Sequence, residues 1–295
     1  MIVRCKRAKK VIGVFDSGAG GLSVWREIAA QLPDECSVYF ADQGHIPYGP
    51  RPMQEIRAFS EAIARFLLGL GCNMIVVACN TASAAALTHL RVTFPGVPFV
   101  GMEPAVKPAV QTTRTGHVGV MATPATFQGE LFASVVERFA NGVQLVKQVC
   151  PGLVEQVEAG RLDTPDTQAL LRRYLAPMIT AGVDTIVLGC THYPFLAPAI
   201  QRIVGPDVSV IDPSPAIARQ VGRVMEQRGL LSASGAARHV FYTSGDAAAF
   251  AETVRHLTAV SEPAVHPARW EGAPLASLRG CPWEIPGVAP GKSQG

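Results

Sequence analysis

Two cysteines stand in settings where a thiol could do chemistry. Cys79 closes the apolar run Val76-Val77-Ala78 and precedes Asn80-Thr81, while Cys190 closes Val187-Leu188-Gly189 and precedes Thr191-His192. The two runs lie 111 residues apart and share one plan: apolar strand, small residue, cysteine, polar side chains. Taken singly, either cysteine reads more readily as a small core residue than as a catalytic group. Matched settings in two parts of one chain favour a shared task. If those parts face each other, the thiols flank one cleft and hold a base on one face of a carbon and an acid on the other. Such a pair inverts a stereocentre with neither cofactor nor metal. A thiol suits both roles because its ordinary pKa of about 8.5 keeps either protonation state within modest tuning near neutral pH. A helix starting just after Cys79 would bias that sulfur toward thiolate through its N-terminal dipole. The α-carbon of an amino acid is a poor acid, so the site must also stabilise carbanionic charge and exclude water.

Positioning two such groups requires a rigid frame, and the hydrophobic pattern supplies one. Strands are predicted at Val11–Phe15, Ser37–Ala41, Met74–Ala78, Phe99–Met102, His117–Met121, Val143–Val149, Thr185–Gly189 and Val208–Ile211. Helical spacing follows Gly21 and recurs over Ile56–Leu70, Thr81–Val92, Thr126–Ala140, Thr164–Ala181, Pro194–Val204 and Ser214–Gln227, with Ser214 as N-cap ahead of Pro215. Strands alternating with helices imply right-handed crossovers and a mostly parallel sheet covered on both faces, so the fold class is α/β. In such sheets ligands bind beyond the carboxyl ends of the strands, where both cysteines fall. From about residue 266 the pattern stops and Pro and Gly dominate. That segment reads as an extended tail docked by Trp270 or Trp283, with no fold of its own.

Composition narrows the classes of function. With 48% hydrophobic and 17% charged residues over 295, the chain buries enough surface to fold and is long enough for about two domains. The formal charge of +3 is an effect of the first ten residues, where Arg4, Lys6, Arg7, Lys9 and Lys10 stand without an acid. The remainder is slightly acidic, which argues against direct contact with nucleic acid. No apolar run approaches the roughly 20 residues a membrane span requires, and no signal-peptide core precedes Asp16, so a cytoplasmic location is expected. Seven cysteines without C-x-x-C pairs or zinc-type clusters read as reduced thiols. The loop Gly18-Ala19-Gly20 has Ser23 where a dinucleotide fingerprint needs its last glycine, and no P-loop lysine follows.

Four segments carry a resemblance. Asp16-Ser17-Gly18-Ala19-Gly20-Gly21, Pro47-Tyr48-Gly49, Cys79-Asn80-Thr81-Ala82-Ser83 and Gly189-Cys190-Thr191-His192-Tyr193-Pro194 resemble the glutamate racemases, within the cofactor-independent aspartate/glutamate racemase family. The match runs in order from about residue 11 to 260. It implies two pseudo-symmetric flavodoxin-like domains with mostly parallel sheets and an active site between them. The first would be built from 11–100 plus 208–265 and the second from 101–207, leaving 1–10 and 266–295 outside. The resemblance also implies that Cys79 exchanges the α-proton with D-glutamate and Cys190 with L-glutamate. Asp16 would sit near Cys79; His192 and Glu158, in Val157-Glu158-Ala159-Gly160, would assist Cys190. Asp16, Ser17, Tyr48, Gly49, Asn80, Thr81, Thr191 and His192 would bind the substrate, with Thr123 contributing from its loop. The implied partners are glutamate and a second copy of the chain, and the implied role is D-glutamate supply for peptidoglycan. Other readings stand beside these. Asp16 fits a helix cap, Tyr48 a packing residue, His192 a surface histidine and Glu158 a solvated helix residue. The rival functions are an aspartate or broad-specificity amino-acid racemase and, from another class, a regulatory partner of DNA gyrase.

Overall fold

In the computed structural model, which describes residues 10–232, 237–258, 260–270 and 275–277, the alternation becomes two sheets. The first half runs β1 (Val11–Asp16), α1 (Leu22–Gln31), β2 (Cys36–Ala41), α2 (Met53–Gly69), β3 (Met74–Val77), α3 (Asn80–Thr93) and β4 (Phe99–Gly101). The second runs α4 (Val106–Thr112), β5 (His117–Ala122), α5 (Pro124–Gln128), α6 (Glu130–Phe139), β6 (Gln144–Val149), α7 (Leu153–Glu158), α8 (Pro165–Thr180) and β7 (Thr185–Gly189). A 3-10 turn at Tyr193–Leu196, α9 (Ala197–Val204) and β8 (Ser209–Ile211) complete it. The chain then returns through α10 (Ser214–Gln227), β9 (His239–Thr243), α11 (Ala247–Leu257), β10 (Ala264–Trp270) and β11 (Leu275–Ser277).

The strands form a seven-stranded sheet of order β11-β10-β9-β2-β1-β3-β4 and a four-stranded sheet of order β6-β5-β7-β8. Every ladder is parallel except β10 with β11. Numbered within each half, both sheets share the order 2-1-3-4, so the halves repeat one doubly wound unit and each has its crevice between its first and third strands. The central strands read as unbroken apolar runs because helices cover both faces: β1, β2, β3 and β7 are buried at every position. The edge strand β6 instead alternates between exposed and half-buried. One apolar cluster joins Val14 and Met74 of the first sheet to Leu188, Tyr193 and Leu196 of the second, so the halves are packed through a continuous core.

Four differences from the sequence reading have physical causes. The sequence reading puts Val208–Ile211 in the return segment of the first unit, yet Ser209–Ile211 pairs with β7, in register with Thr185–Val187, in the second sheet. The helix expected over Thr126–Ala140 is broken at Gly129, where the backbone is extended and a side chain would collide with Ala84 of α3. Ser214 is the first residue of α10 and not its cap; its hydroxyl donates to Ser23 Oγ at 3.3 Å. The segment after 266 is not all tail: His266–Trp270 continue β10, and Pro267 is tolerated in a strand near the sheet edge. The basic leader at 1–9, Cys5, Cys281 and Trp283 lie outside the described residues.

Candidate active site

The repeated unit brings the carboxyl ends of β1, β3, β5 and β7 around one cavity of about 190 Å³. Its wall includes Ser17, Tyr48, Gly49, Asn80, Thr81, Thr123, Thr191 and His192 together with both Cys79 and Cys190. Each thiol is almost fully buried. Cys79 is the N-cap of α3, and its sulfur accepts the Ala82 N–H at 3.4 Å. Its thiol also faces Ser17 Oγ at 3.8 Å, and Ser17 in turn donates to Asp16 Oδ1 at 3.3 Å. Burial, and after it the neighbouring Asp16, push the Cys79 thiol well above the usual range, while the Ala82 N–H pulls it down. The helix start alone therefore does not make this sulfur a thiolate.

Asp16 stands behind Cys79 and does not line the cavity. One oxygen accepts the Gly21 N–H at 2.7 Å and the Thr191 hydroxyl at 3.4 Å. Burial raises the Asp16 carboxyl despite the opposing charge of His192. Its path to Cys79 runs through Ser17, and although it is expected to bind substrate it does not itself line the cavity.

Around Cys190 the arrangement is ionic. The sulfur is 3.8 Å from His192 Nδ1, and His192 Nε2 meets Glu158 Oε1 at 2.6 Å. Burial works against charge on both groups, but the pair overcomes it. Contact with Cys190 and Glu158 holds the imidazole well above its usual range, and His192, Gln43 and Ala19 hold the Glu158 carboxyl below its own. A protonated His192 thus donates to Glu158 while presenting positive charge to the Cys190 sulfur. Glu158 is the last residue of α7, yet it accepts the Ala19 N–H at 2.6 Å and the Gln43 amide at 3.0 Å from the first half. It is a half-buried link between halves and not a solvated helix residue.

This contact explains the glycine loop. A side chain at Gly18 would collide with Glu158, and one at Gly20 would overlap the His192 ring. The loop is bare because the other half packs onto its backbone. Tyr39 holds it in place by donating to Gly18 O at 2.8 Å.

Hydroxyls and an amide stand among the apolar residues of the remaining wall. Thr81 and Thr123 hydroxyls meet at 2.9 Å across the halves. Asn80 is 4% exposed, and its amide nitrogen and oxygen are the buried side-chain polar atoms without a hydrogen-bond partner among the described residues. Unpaired buried amides are costly, so a donor and acceptor pair lining a cavity marks a place for a polar ligand. Cys150, Glu155 and Tyr193 also line the cavity and are not among the expected site residues, although Tyr193 lies within the fourth motif. Among the described residues no cluster of His, Cys, Asp and Glu could hold a metal ion, and no helix is long and apolar enough to cross a membrane. The five described cysteines are free thiols.

Known proteins share this arrangement of chain and fold. The family described as Asp/Glu/Hydantoin racemase matches residues 12–221. A glutamate racemase from Roseiflexus sp. is 50% identical over 255 residues, covering 85% of this chain and 93% of the relative. Among solved structures, a glutamate racemase isoform from Bacillus anthracis superposes with a TM-score of 0.80 at 32% identity, covering 87% of this chain and 96% of the other. The Escherichia coli glutamate racemase, solved in complex with L-glutamate and the activator UDP-MurNAc-ala, gives 0.78 at 30% identity and covers 88% and 98%. Two thiols at the ends of matching strands, a shared cavity and similarity over most of its length place the chain in the Asp/Glu/Hydantoin racemase family.

Proposed function

We propose that the protein is a glutamate racemase that inverts Cα by proton transfer between Cys79 and Cys190. The observation that carries this reading is that both sulfurs line one small cavity whose Asn80 amide has no partner among the described residues. From L-glutamate, the Cys190 thiolate takes the α-proton and becomes a thiol. The electron pair left on Cα spreads into the α-carboxylate. The Cys79 thiol then gives its proton to the opposite face, leaving D-glutamate and a Cys79 thiolate. The reverse reaction uses the same atoms.

The surroundings support this division. The His192 imidazole stands beside the Cys190 sulfur, whereas burial and the neighbouring Asp16 favour the protonated form of Cys79. Ser17, Thr81, Thr191 and the Asn80 amide supply hydrogen bonds to the carboxylates and ammonium without a formal charge that would oppose the reaction. The catalytic pair is Cys79 and Cys190; His192, Glu158 and Asp16 tune and position them. Supply of D-glutamate for peptidoglycan from a cytoplasmic homodimer follows from the same reading. Circular dichroism of the purified protein given L-glutamate and L-aspartate separately tests it. Rapid loss of signal with glutamate is expected, and a clear preference for aspartate would overturn the assignment.

A further inference from the structure

The wall of the cavity that carries Tyr48 is tied to a segment far beyond residue 221, where the family match ends. Asp42 follows β2, is fully buried, and gathers four side chains around its carboxylate. Oδ1 accepts from Trp270 Nε1 at 2.8 Å and Ser244 Oγ at 2.7 Å; Oδ2 accepts from the Tyr48 hydroxyl at 2.6 Å and meets His45 Nδ1 at 3.0 Å. His45 Nδ1 also lies 3.1 Å from Oδ1, so both carboxyl oxygens are fully partnered. Burial, and then Asp42, push the Tyr48 hydroxyl well above its usual range, which keeps it a donor.

The rings repeat the connection. His45 stacks on Phe59 with centroids 4.0 Å apart and meets the edge of Trp270 at 4.9 Å, while Phe59 and Trp270 are 5.4 Å apart. Trp270 thus touches both ends of the segment from His45 to Tyr48 indirectly: the carboxylate that holds the tyrosine, and the imidazole that precedes it. Tyr48 and Gly49 face the cavity.

We infer that Trp270 is a positioning residue for the substrate-facing loop, acting through Asp42 on Tyr48. Removing its N–H takes one donor from Oδ1, leaving Ser244 and His45, and Asp42 then reorients toward its remaining partners and loosens its hold on the tyrosine. Substrate binding depends on that wall more than proton transfer does. The inference rests on the proposed racemase reading for its kinetic test.

Trp270→Phe keeps a ring and deletes the donor. The expected result is a KM for glutamate raised about threefold to tenfold in both directions, with kcat within about twofold and an unchanged fraction of folded protein. In a double-mutant cycle with Tyr48→Phe the two losses should be less than additive, because both act on one carboxylate. An unchanged KM, or strictly additive effects, overturns the inference. Should the parent protein fail to racemise glutamate, the functional reading falls separately. The loop is then judged by alkylation of Cys79 with iodoacetamide, followed by peptide mass spectrometry. Faster alkylation in Trp270→Phe upholds the positioning role, and an unchanged rate overturns it.

Discussion

Cys79 follows β3 of the larger sheet and Cys190 follows β7 of the smaller one, the third strands of two matching 2-1-3-4 orders, yet what stands behind each sulfur differs. Behind Cys79 are a hydroxyl and a buried carboxyl, Ser17 and Asp16. Behind Cys190 is a histidine paired with Glu158. The repeated fold supplies two equivalent positions facing one cavity. The side chains behind them differ in kind: burial and Asp16 push the Cys79 thiol up, while Cys190 has an imidazole–carboxylate pair beside it. A racemase needs both: symmetric placement to reach either face of the carbon, and asymmetric charge so that one group accepts while the other donates.

Four changes would break or sharpen this comparison. The largest effect belongs to the thiols: Cys79→Ala and Cys190→Ala should each reduce racemisation by about 10³-fold or more, measured by circular dichroism. In D2O, proton NMR should show Cys190→Ala exchanging the α-proton of D-glutamate only and Cys79→Ala that of L-glutamate only. Exchange of both enantiomers by one variant would dissolve the division of faces.

Gly20→Ala comes next. Its new Cβ must displace the His192 ring, and kcat/KM should fall by about 10²-fold, as expected when a catalytic neighbour moves by an ångström. An alanine tolerated there would mean that the histidine need not pack on the loop.

Glu158→Gln should cost about tenfold in kcat/KM and reshape the pH profile. Glu158 helps hold His192 protonated above its usual range. Without it the imidazole loses its proton at lower pH, so the basic limb of activity moves toward neutrality. Asp16→Asn should leave that limb in place. Equal shifts in both variants would remove the distinction between the two sides.

The smallest effect on catalysis is expected from Asp184→Asn, just before the opposite end of β7. Asp184 accepts the Thr113 hydroxyl and the Arg114 N–H, both at 2.6 Å, and these hydrogen bonds outweigh burial to hold its carboxyl at about 2, against an ordinary 3.8. A depressed carboxylate stabilises the fold fully above its ordinary pKa and loses that contribution as pH falls through the folded value. The variant should lose about 2 kcal/mol at pH 7 in urea unfolding, and the stability gap should close between about pH 4 and 2. Its kcat should match the parent. A fall in kcat would mean that the second half transmits strain along β7 to Cys190.

Local sequence determined much of this molecule. Strand and helix leave short-range periodicities, so the α/β alternation and the placement of both cysteines at strand ends were legible. The glycine loop was legible as a loop, because glycine marks backbone freedom wherever it occurs. Its reason was not, since the side chains that would collide with Gly18 and Gly20 are distant in sequence: Glu158 and Ile46 at the first, His192 at the second. The strand after Ala264 escaped notice because Pro267 and charged neighbours hide a pairing made by the backbone.

Tertiary structure alone decided the contacts that close over distance. Glu158 and His192 are 34 residues apart, and Asp42 and Trp270 are 228 apart. The same closure sets Asp16 behind Cys79 and draws β8 into the second sheet beside β7. No local period encodes such pairs. They exist because burying apolar faces brings two sheets together, and the polar groups trapped at that junction must then find partners in one another.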